Sequence, residues 1–397
     1  NSNNTVKMIA VSSSSSAPNT IAYSYDGINW TGLGNSIVLN GANSVAWNGN
    51  MWVIGSTSAP LIVYSFNGIN WLTANNIGNI GNILNAVYGV ASNGSMWLAL
   101  GTGVNSGVTI AYSYDGIYWY ASNNSSYTGM FAYAAAWNGS MWVAVGQAWS
   151  GSGAAYSSDG INWYSITSLS SIISQTVMDI AWNGSIWVAV GQGNNSIAYS
   201  NNGINWTGSS NGESIFTSSC YGIAWNGSVW VAVGGGTNRI AYSYDGINWT
   251  GVPNSTTIFS IYGIGIAWNG TRFVAVGEGI NTIAYSDDGI NWTGVLNSAT
   301  TIFTITGGDI FWNKINSRWI ATGYGTNSIA YSDNNGVSWT GLGTSIFTTG
   351  YGITLKGTRL FAVGNGACSI AYSDNNGTSW TGVVNSSTNV FTNTGVG

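Results

Sequence analysis

The 397-residue chain has no histidine, three prolines, two cysteines and only 5% charged residues. Without histidine, neither a Ser-His-Asp triad nor an ordinary zinc site can be assembled, and no cofactor or metal is implied. Seven Lys plus Arg against 12 Asp plus Glu give a formal charge of -5 and leave no basic stripe to neutralise phosphates, which argues against nucleic acid as a partner. Long apolar runs are missing as well. Gly, Asn and Ser interrupt the hydrophobic residues before they reach the roughly 18 positions a membrane helix needs, so no membrane insertion is expected. The helix formers Lys, Glu and Gln are scarce, whereas Val, Ile, Thr, Tyr and Trp, which pack well on pleated surfaces, are abundant, and the fold class reads as all-β. Cys220 and Cys368 are far apart in the chain and are expected to stay unpaired. Asn1 is preceded by neither Met nor an apolar leader, which reads as a processed signal peptide or a longer precursor.

What the chain has is repetition. "IAYSYDGINWTG" at 21–32 returns at 240–251, and as "IAYSDDGINWTG" at 283–294. Its Trp recurs nine times, at Trp30, Trp71, Trp119, Trp163, Trp206, Trp249, Trp292, Trp339 and Trp380, 41 to 48 residues apart. A second signature, "IAWNGSVWVAVG" at 223–234, is echoed at 45, 135, 180 and 266. Each unit is predicted to hold four short strands, in the sixth at 222–225, 230–233, 240–243 and 248–251, joined by Asn-Gly, Gly-rich and Asp-Gly turns. Large and small residues alternate: Ile223 and Trp225 flank Ala224, Val231 and Val233 flank Ala232, Ile240 and Tyr242 flank Ala241. Such a sheet is apolar on both faces and is covered by stacking copies of itself, bulky face on small. Residues 1–397 are therefore expected to form a single β-propeller domain of about nine four-stranded blades, with a solenoid as the alternative. The last residues, "VFTNTGVG", match the segment leading into "IAWNG", and the first twelve align with "IAWNGSVWVAVG", so N- and C-terminal segments are expected to close the ring.

At "SDNNGVSW" (332–339) and "SDNNGTSW" (373–380) the pattern Ser-x-Asn-x-Gly-x-x-Trp resembles the Asp-box, or BNR repeat, of sialidase- and sortilin-like propellers, in arrays of the kind seen in giant-virus and secreted proteins. The first seven copies, such as "SYDGINW" at 24–30, lack one residue before Gly, and the extra residue of the last two must be absorbed in the turn or in a bulge. The resemblance implies a structural turn in which Asp26, Asp115, Asp159, Asp245 and Asp288, with Asn67, Asn202, Asn334 and Asn375 in place of the acid, accept turn N–H groups while Gly takes positive φ and Trp packs inward.

The same resemblance makes sialidase-type hydrolysis the enzyme hypothesis, which would need an arginine cluster, a Tyr/Glu nucleophile pair and an acidic proton donor. Of the four arginines, Arg272, Arg318 and Arg359 occupy one position in consecutive repeats, just after the first hairpin turn. That position puts them beside the Asp-box turns as a local basic patch, away from the family's active-site face. Glu213 and Glu278 are the only glutamates, and Asp179, Asp287, Asp309, Asp333 and Asp374 complete the acids outside the boxes. No catalytic residue is assigned, and the chain is expected not to be an enzyme.

Repeats diverge most in the connections between blades and the second-to-third loops, and loops on a rigid scaffold are where recognition usually sits. Trp149 is the single Trp outside the three repeat positions; with Arg239 and Glu278 it marks the candidate ligand-binding face, and a lid over the next blade is its alternative role. A lectin would repeat an aromatic in these loops, and they do not. The expected function is therefore non-catalytic structural attachment at an extracellular or virion surface, with glycans or other subunits of a surface assembly as partners. Glycan-binding lectin is the first alternative and sialidase-like hydrolase the second. About sixteen N-x-S/T sequons, among them Asn29, Asn138, Asn183, Asn226 and Asn248, allow glycosylation, although a chain this rich in Asn, Ser and Thr generates many by chance.

Overall fold

The structure, a computed structural model, describes residues 8–11, 19–25, 30–39, 41–74, 83–104, 108–123, 130–137, 139–148, 153–356 and 359–383. Of the terminal segments expected to close the ring, residues 1–7, 12 and 384–397 lie outside these residues, as do Asp26 and Trp149. The chain divides after Thr176 into two compact units.

In both units the element is an antiparallel meander of four strands in sequence order. Repeat six is representative: Ser219–Trp225, Trp230–Gly235, Ile240–Ser243 and Thr250–Gly251. The predicted fourth strand shrinks to two residues because the preceding turn holds Ile247 and Asn248 in its own hydrogen bonds. In the first unit, repeats two, three and four are four-stranded, and repeat one has three strands among the described residues, Met8–Val11, Ile21–Ser24 and Trp30–Gly32.

Packing follows the large/small alternation. In the second unit Val188, Val190 and Ile197 of repeat five meet Trp230, Ala232, Ala241 and Trp249 of repeat six. Val231, Val233 and Ile240, on the opposite face of repeat six, meet Phe273, Ala275 and Ala284 of repeat seven. In the first unit Leu98, Leu100 and Ile110 of repeat three cover Trp142, Ala144, Ala155 and Trp163 of repeat four. Alanine on the small face gives room for the neighbour's branched side chains, and burying each Val or Ile stabilises by about 1.5–3 kcal/mol. Stacked in this way, the meanders form a propeller-like repeat fold.

The connections between repeats are more regular than their sequences suggest. In the second unit the fourth strand leads into one helical turn, Gly212–Ile215, Ser255–Ile258 or Ser298–Ile302, followed by a buried Phe216, Phe259 or Phe303. A Cβ on the second-strand glycine of the next repeat would meet that ring, at 2.8 Å for Gly234 and Phe216 and 3.0 Å for Gly277 and Phe259. The recurring "VAVG" glycine is therefore a seat for the phenylalanine. The expectation that these connections are the variable part is narrowed, not overturned: three share one motif, whereas the connection after repeat four carries a longer helix, Thr167–Ile172. "ESIFTS", "TTIFSI" and "TTIFTI" are one motif, hidden because only Ile-Phe is shared.

Candidate functional site

The recurring turn is built from its serine outward. Ser243 Oγ accepts the Gly246 amide at 2.8 Å and donates to Asp245 Oδ1 at 2.9 Å. Asp245 Oδ1 accepts the amides of Ile247 and Asn248 at 2.8 and 2.7 Å, and Oδ2 accepts Asn248 Nδ2 at 2.8 Å. Gly246 takes φ +74°, and Trp249 Nε1 donates to its carbonyl. Burial pushes the Asp245 carboxyl up, but the Asn248 amide and side chain, the Ile247 amide and Ser243 outweigh it and hold it at about 2. Asp159 and Asp288 are held at about 2 by the same contacts, and Asp115 below its ordinary range. Asn67 and Asn202 accept the corresponding two amides through Oδ1 at 2.9–3.0 Å. Asn334 and Asn375 accept the amides of Ser338 and Ser379. Each of these side chains closes its own turn.

The extra residue of the last two copies lies wholly within the turn. Tyr331 pairs with Thr340 and Ala330 with Gly341, the same side-chain register as Tyr285 with Thr293 and Ala284 with Gly294, while Asn335 and Asn376 take left-handed φ of 58° and 61°. Asn335 Oδ1 accepts Trp319 Nε1 at 3.1 Å and, from the preceding repeat, Asn269 Nδ2 at 2.6 Å. Its carbonyl accepts Arg272 Nη1 at 3.1 Å, and Arg318 reaches the Asn376 carbonyl in the same way at 2.7 Å. The insertion is thus a latch between consecutive repeats.

The arginines lie beside the turns but do not form a free basic patch. Arg272 Nε meets Asp287 Oδ1 at 2.6 Å and stacks on Tyr285, 4.4 Å from the ring centroid. Arg318 pairs with Asp333 over Tyr331, and Arg359 with Asp374 over Tyr372. Each charge is answered by the acid that replaces the Tyr or Phe of other turns, as at Tyr244. The expected local basic patch is thus neutralised by acids that stand in "YSDDG" and "YSDNN".

Of the proposed ligand-binding residues, Trp149 lies outside the described residues. Arg239 donates to the carbonyls of Gly236 and Ser260, the latter at 3.0 Å. Glu278 ends the second strand of repeat seven, where it pairs with Tyr262 and with Thr306 of the next repeat. Both residues flank the Ser260–Ile261 segment, whose Ile261 amide donates to the Glu278 carbonyl at 3.1 Å. Among the described residues no ion pair joins the two side chains.

A different row of residues recurs on the first strands. The first strand of most repeats carries a β-bulge at one position, where the register skips Asn43, Tyr88, Tyr133, Tyr221, Ile264 and Tyr351. Bulges re-aim side chains. Tyr133 and Tyr351 are 42% and 43% exposed, and Tyr88 meets Tyr133 edge-to-face at 5.5 Å. The aromatic missing from the loops thus repeats on the first strands, signalled by the Tyr before Gly or Ala in "VYGVAS", "AYAAAW", "CYGIAW" and "GYGITL".

Next to this row, one strand position laces neighbouring first strands together. Asp179 accepts its own Ile180 amide at 2.8 Å and that of Ile223, in the next repeat, at 3.1 Å. Asp309 does the same with Ile310 at 2.8 Å and Ile353 at 3.2 Å. Burial raises both carboxyls above the ordinary range despite these amides. Asp309 and Tyr351 also line a cavity of about 670 Å³ walled by Ile353, Phe361 and Val363. Cys220 and Cys368 are free, and burial pushes the Cys220 thiol well up. Among the described residues no His/Cys/Asp/Glu cluster could hold a metal, and no helix is long and apolar enough to cross a membrane.

No protein-family model and no curated protein matches the chain. Among solved structures it is similar to the computationally designed Ika8 protein, with 11% identity over 81% of this chain and 92% of that one and a TM-score of 0.50. A GH74 enzyme of Niastella koreensis aligns over 92% of this chain and 74% of its own at 17% identity and a TM-score of 0.35. YCF48 from Cyanidioschyzon merolae aligns over 81% of this chain and 91% of its own at 15% identity and a TM-score of 0.42. The likeness to the designed protein is one of fold.

Proposed function

We propose that the chain is a non-catalytic attachment or structural protein of an extracellular or virion surface, built as an Asp-box propeller of nine blades closed by its own termini. The observation that carries this reading is the use made of its polar chemistry. The turn aspartates are spent on backbone amides, and the three turn-side arginines on aspartates, tyrosines and, for two of them, the neighbouring repeat. Groups held this way serve the scaffold. The low charge weakens repulsion between copies and favours packing into a larger assembly.

Glycan binding is the second reading, favoured by the tyrosines at the first-strand bulges. A glycan array run beside sialidase and general glycosidase assays, with light scattering on the same protein, separates the classes. Self-association or saturable glycan binding without turnover is expected, and release of free sugar would sink the non-catalytic reading. Ring closure is tested by removing residues 1–12. Loss of several kcal/mol is expected from opening the seam and exposing two strand edges, and an unchanged melting temperature would argue against closure.

A further inference from the structure

We propose that the cavity beside Tyr351 binds one uncharged pyranose unit of a glycan, its C–H face lying on the Tyr351 ring and its hydroxyls donating to the Asp309 carboxylate. The proposal rests on the non-catalytic attachment reading and gives it a ligand class and an address. Three observations converge. The bulge between Gly350 and Gly352 takes Tyr351 out of the ladder and leaves its side chain exposed. The cavity of about 670 Å³ falls within the roughly 300–1,000 Å³ of small-molecule sites. Among the described residues its lining joins apolar walls, Ile353, Phe361 and Val363, to one charged residue, Asp309.

A pyranose needs both surfaces, an apolar platform for its ring hydrogens and fixed acceptors for its hydroxyls. Asp309 is a fixed acceptor: each oxygen takes one backbone N–H, from Ile310 and from Ile353, and this holds the carboxylate while leaving lone-pair capacity on both oxygens. Anionic ligands are disfavoured, since among the described residues the lining offers a carboxylate and no cation. The one carboxylate is already engaged by two backbone amides, which take up part of its charge before any ligand arrives. Tyr88, Tyr133 and Tyr221 occupy the same bulge position in other repeats, so the aromatic half of the site is a recurring feature of the first strand.

The test uses the full chain on an array of neutral oligosaccharides, followed by calorimetric titration of the oligosaccharide bound most tightly. Wild-type protein is expected to bind saturably, Tyr351→Ala and Asp309→Asn each to weaken binding by at least about tenfold, the loss of one good contact, and Tyr351→Phe to retain it. Tyr244→Ala, an exposed turn tyrosine outside the cavity, should bind as wild type. Should Tyr351→Ala fail to fold, Asp309→Asn decides by the same criterion. Silence across the array, or wild-type binding by Tyr351→Ala and Asp309→Asn, overturns the proposal. Binding that survives both substitutions without turnover leaves the attachment reading standing with its site elsewhere, whereas release of reducing sugar by the wild type sinks that reading itself.

Discussion

The indole N–H of Trp319 donates to Asn335 Oδ1 at 3.1 Å, whereas its counterpart in repeat six, Trp230, has a buried N–H with no acceptor. One inserted turn residue makes the difference. Asn335→Ala strips Trp319 and Asn269 of their partner and puts a Cβ residue less suited to left-handed φ at a position with φ of 58°. A loss of about 1–3 kcal/mol is expected by denaturant titration. Asn335→Gly, which accepts the backbone but not the hydrogen bonds, should lose part of this; two variants as stable as wild type would deny the latch.

The converse change is also informative. Inserting Asn between Asp245 and Gly246 copies the longer turn into repeat six and offers Trp230 an acceptor. Since the longer turn leaves strand pairing in register, the insertion should be tolerated and raise stability by up to about 1 kcal/mol. Loss of more than that, or a displaced third-to-fourth strand pairing, would show that the turn cannot be exchanged between repeats.

Trp249 is 2% exposed and packs among Val188, Val190 and Ile197 of the preceding repeat. Trp249→Ala is expected to cost about 3–5 kcal/mol in chemical denaturation. Trp380, at the same turn position but only half-buried, should cost less when replaced by Ala. Equal losses would mean that burial between repeats does not set the energy.

The repeat, its strand order and the stacking of bulky on small faces are legible in the sequence because each follows from strict alternation, as at Val231, Ala232 and Val233. What escaped reading depends on register or on one shared residue. Tyr351 and Tyr133 look like ordinary strand residues until the bulge beside them is known. Phe259 belongs to a connection whose other residues vary, so its seat on Gly277 is visible only in three dimensions. Arg272 reads as a free charge until Asp287, fifteen positions on, folds back beside it.

The Arg272–Asp287 pair joins two hydrogen bonds and a tyrosine stack, yet the Asp287 side chain is 66% exposed and solvent screens the attraction. A double-mutant cycle with Arg272→Gln and Asp287→Asn should give a coupling below about 1 kcal/mol that shrinks with salt. Arg272→Gln alone should cost more than the coupling, because the Asn335 carbonyl and the Tyr285 face also lose their partner. A coupling unaffected by salt would show that the pair is shielded from solvent.

Acid stability follows from two opposed groups of aspartates. Asp159, Asp245 and Asp288 are held at about 2 against an ordinary value of 3.8, so the folded state binds their protons less readily than the unfolded chain. Their stabilising contribution is full above the ordinary value and disappears as pH falls from there toward 2. Asp179 and Asp309 have raised carboxyls, so theirs is present at acid pH and is lost as pH rises through the folded value. The turn aspartates should dominate between pH 4 and 2, and the melting temperature should fall across that range. Replacing all three by Asn should flatten the fall while keeping the fold, since Asn67 and Asn202 already close this turn with neutral side chains. Asp179→Asn with Asp309→Asn should leave the acid-side fall in place and remove a loss of stability on the side of higher pH. If the triple variant melts with the same pH slope as wild type, the turn carboxylates do not carry the acid sensitivity.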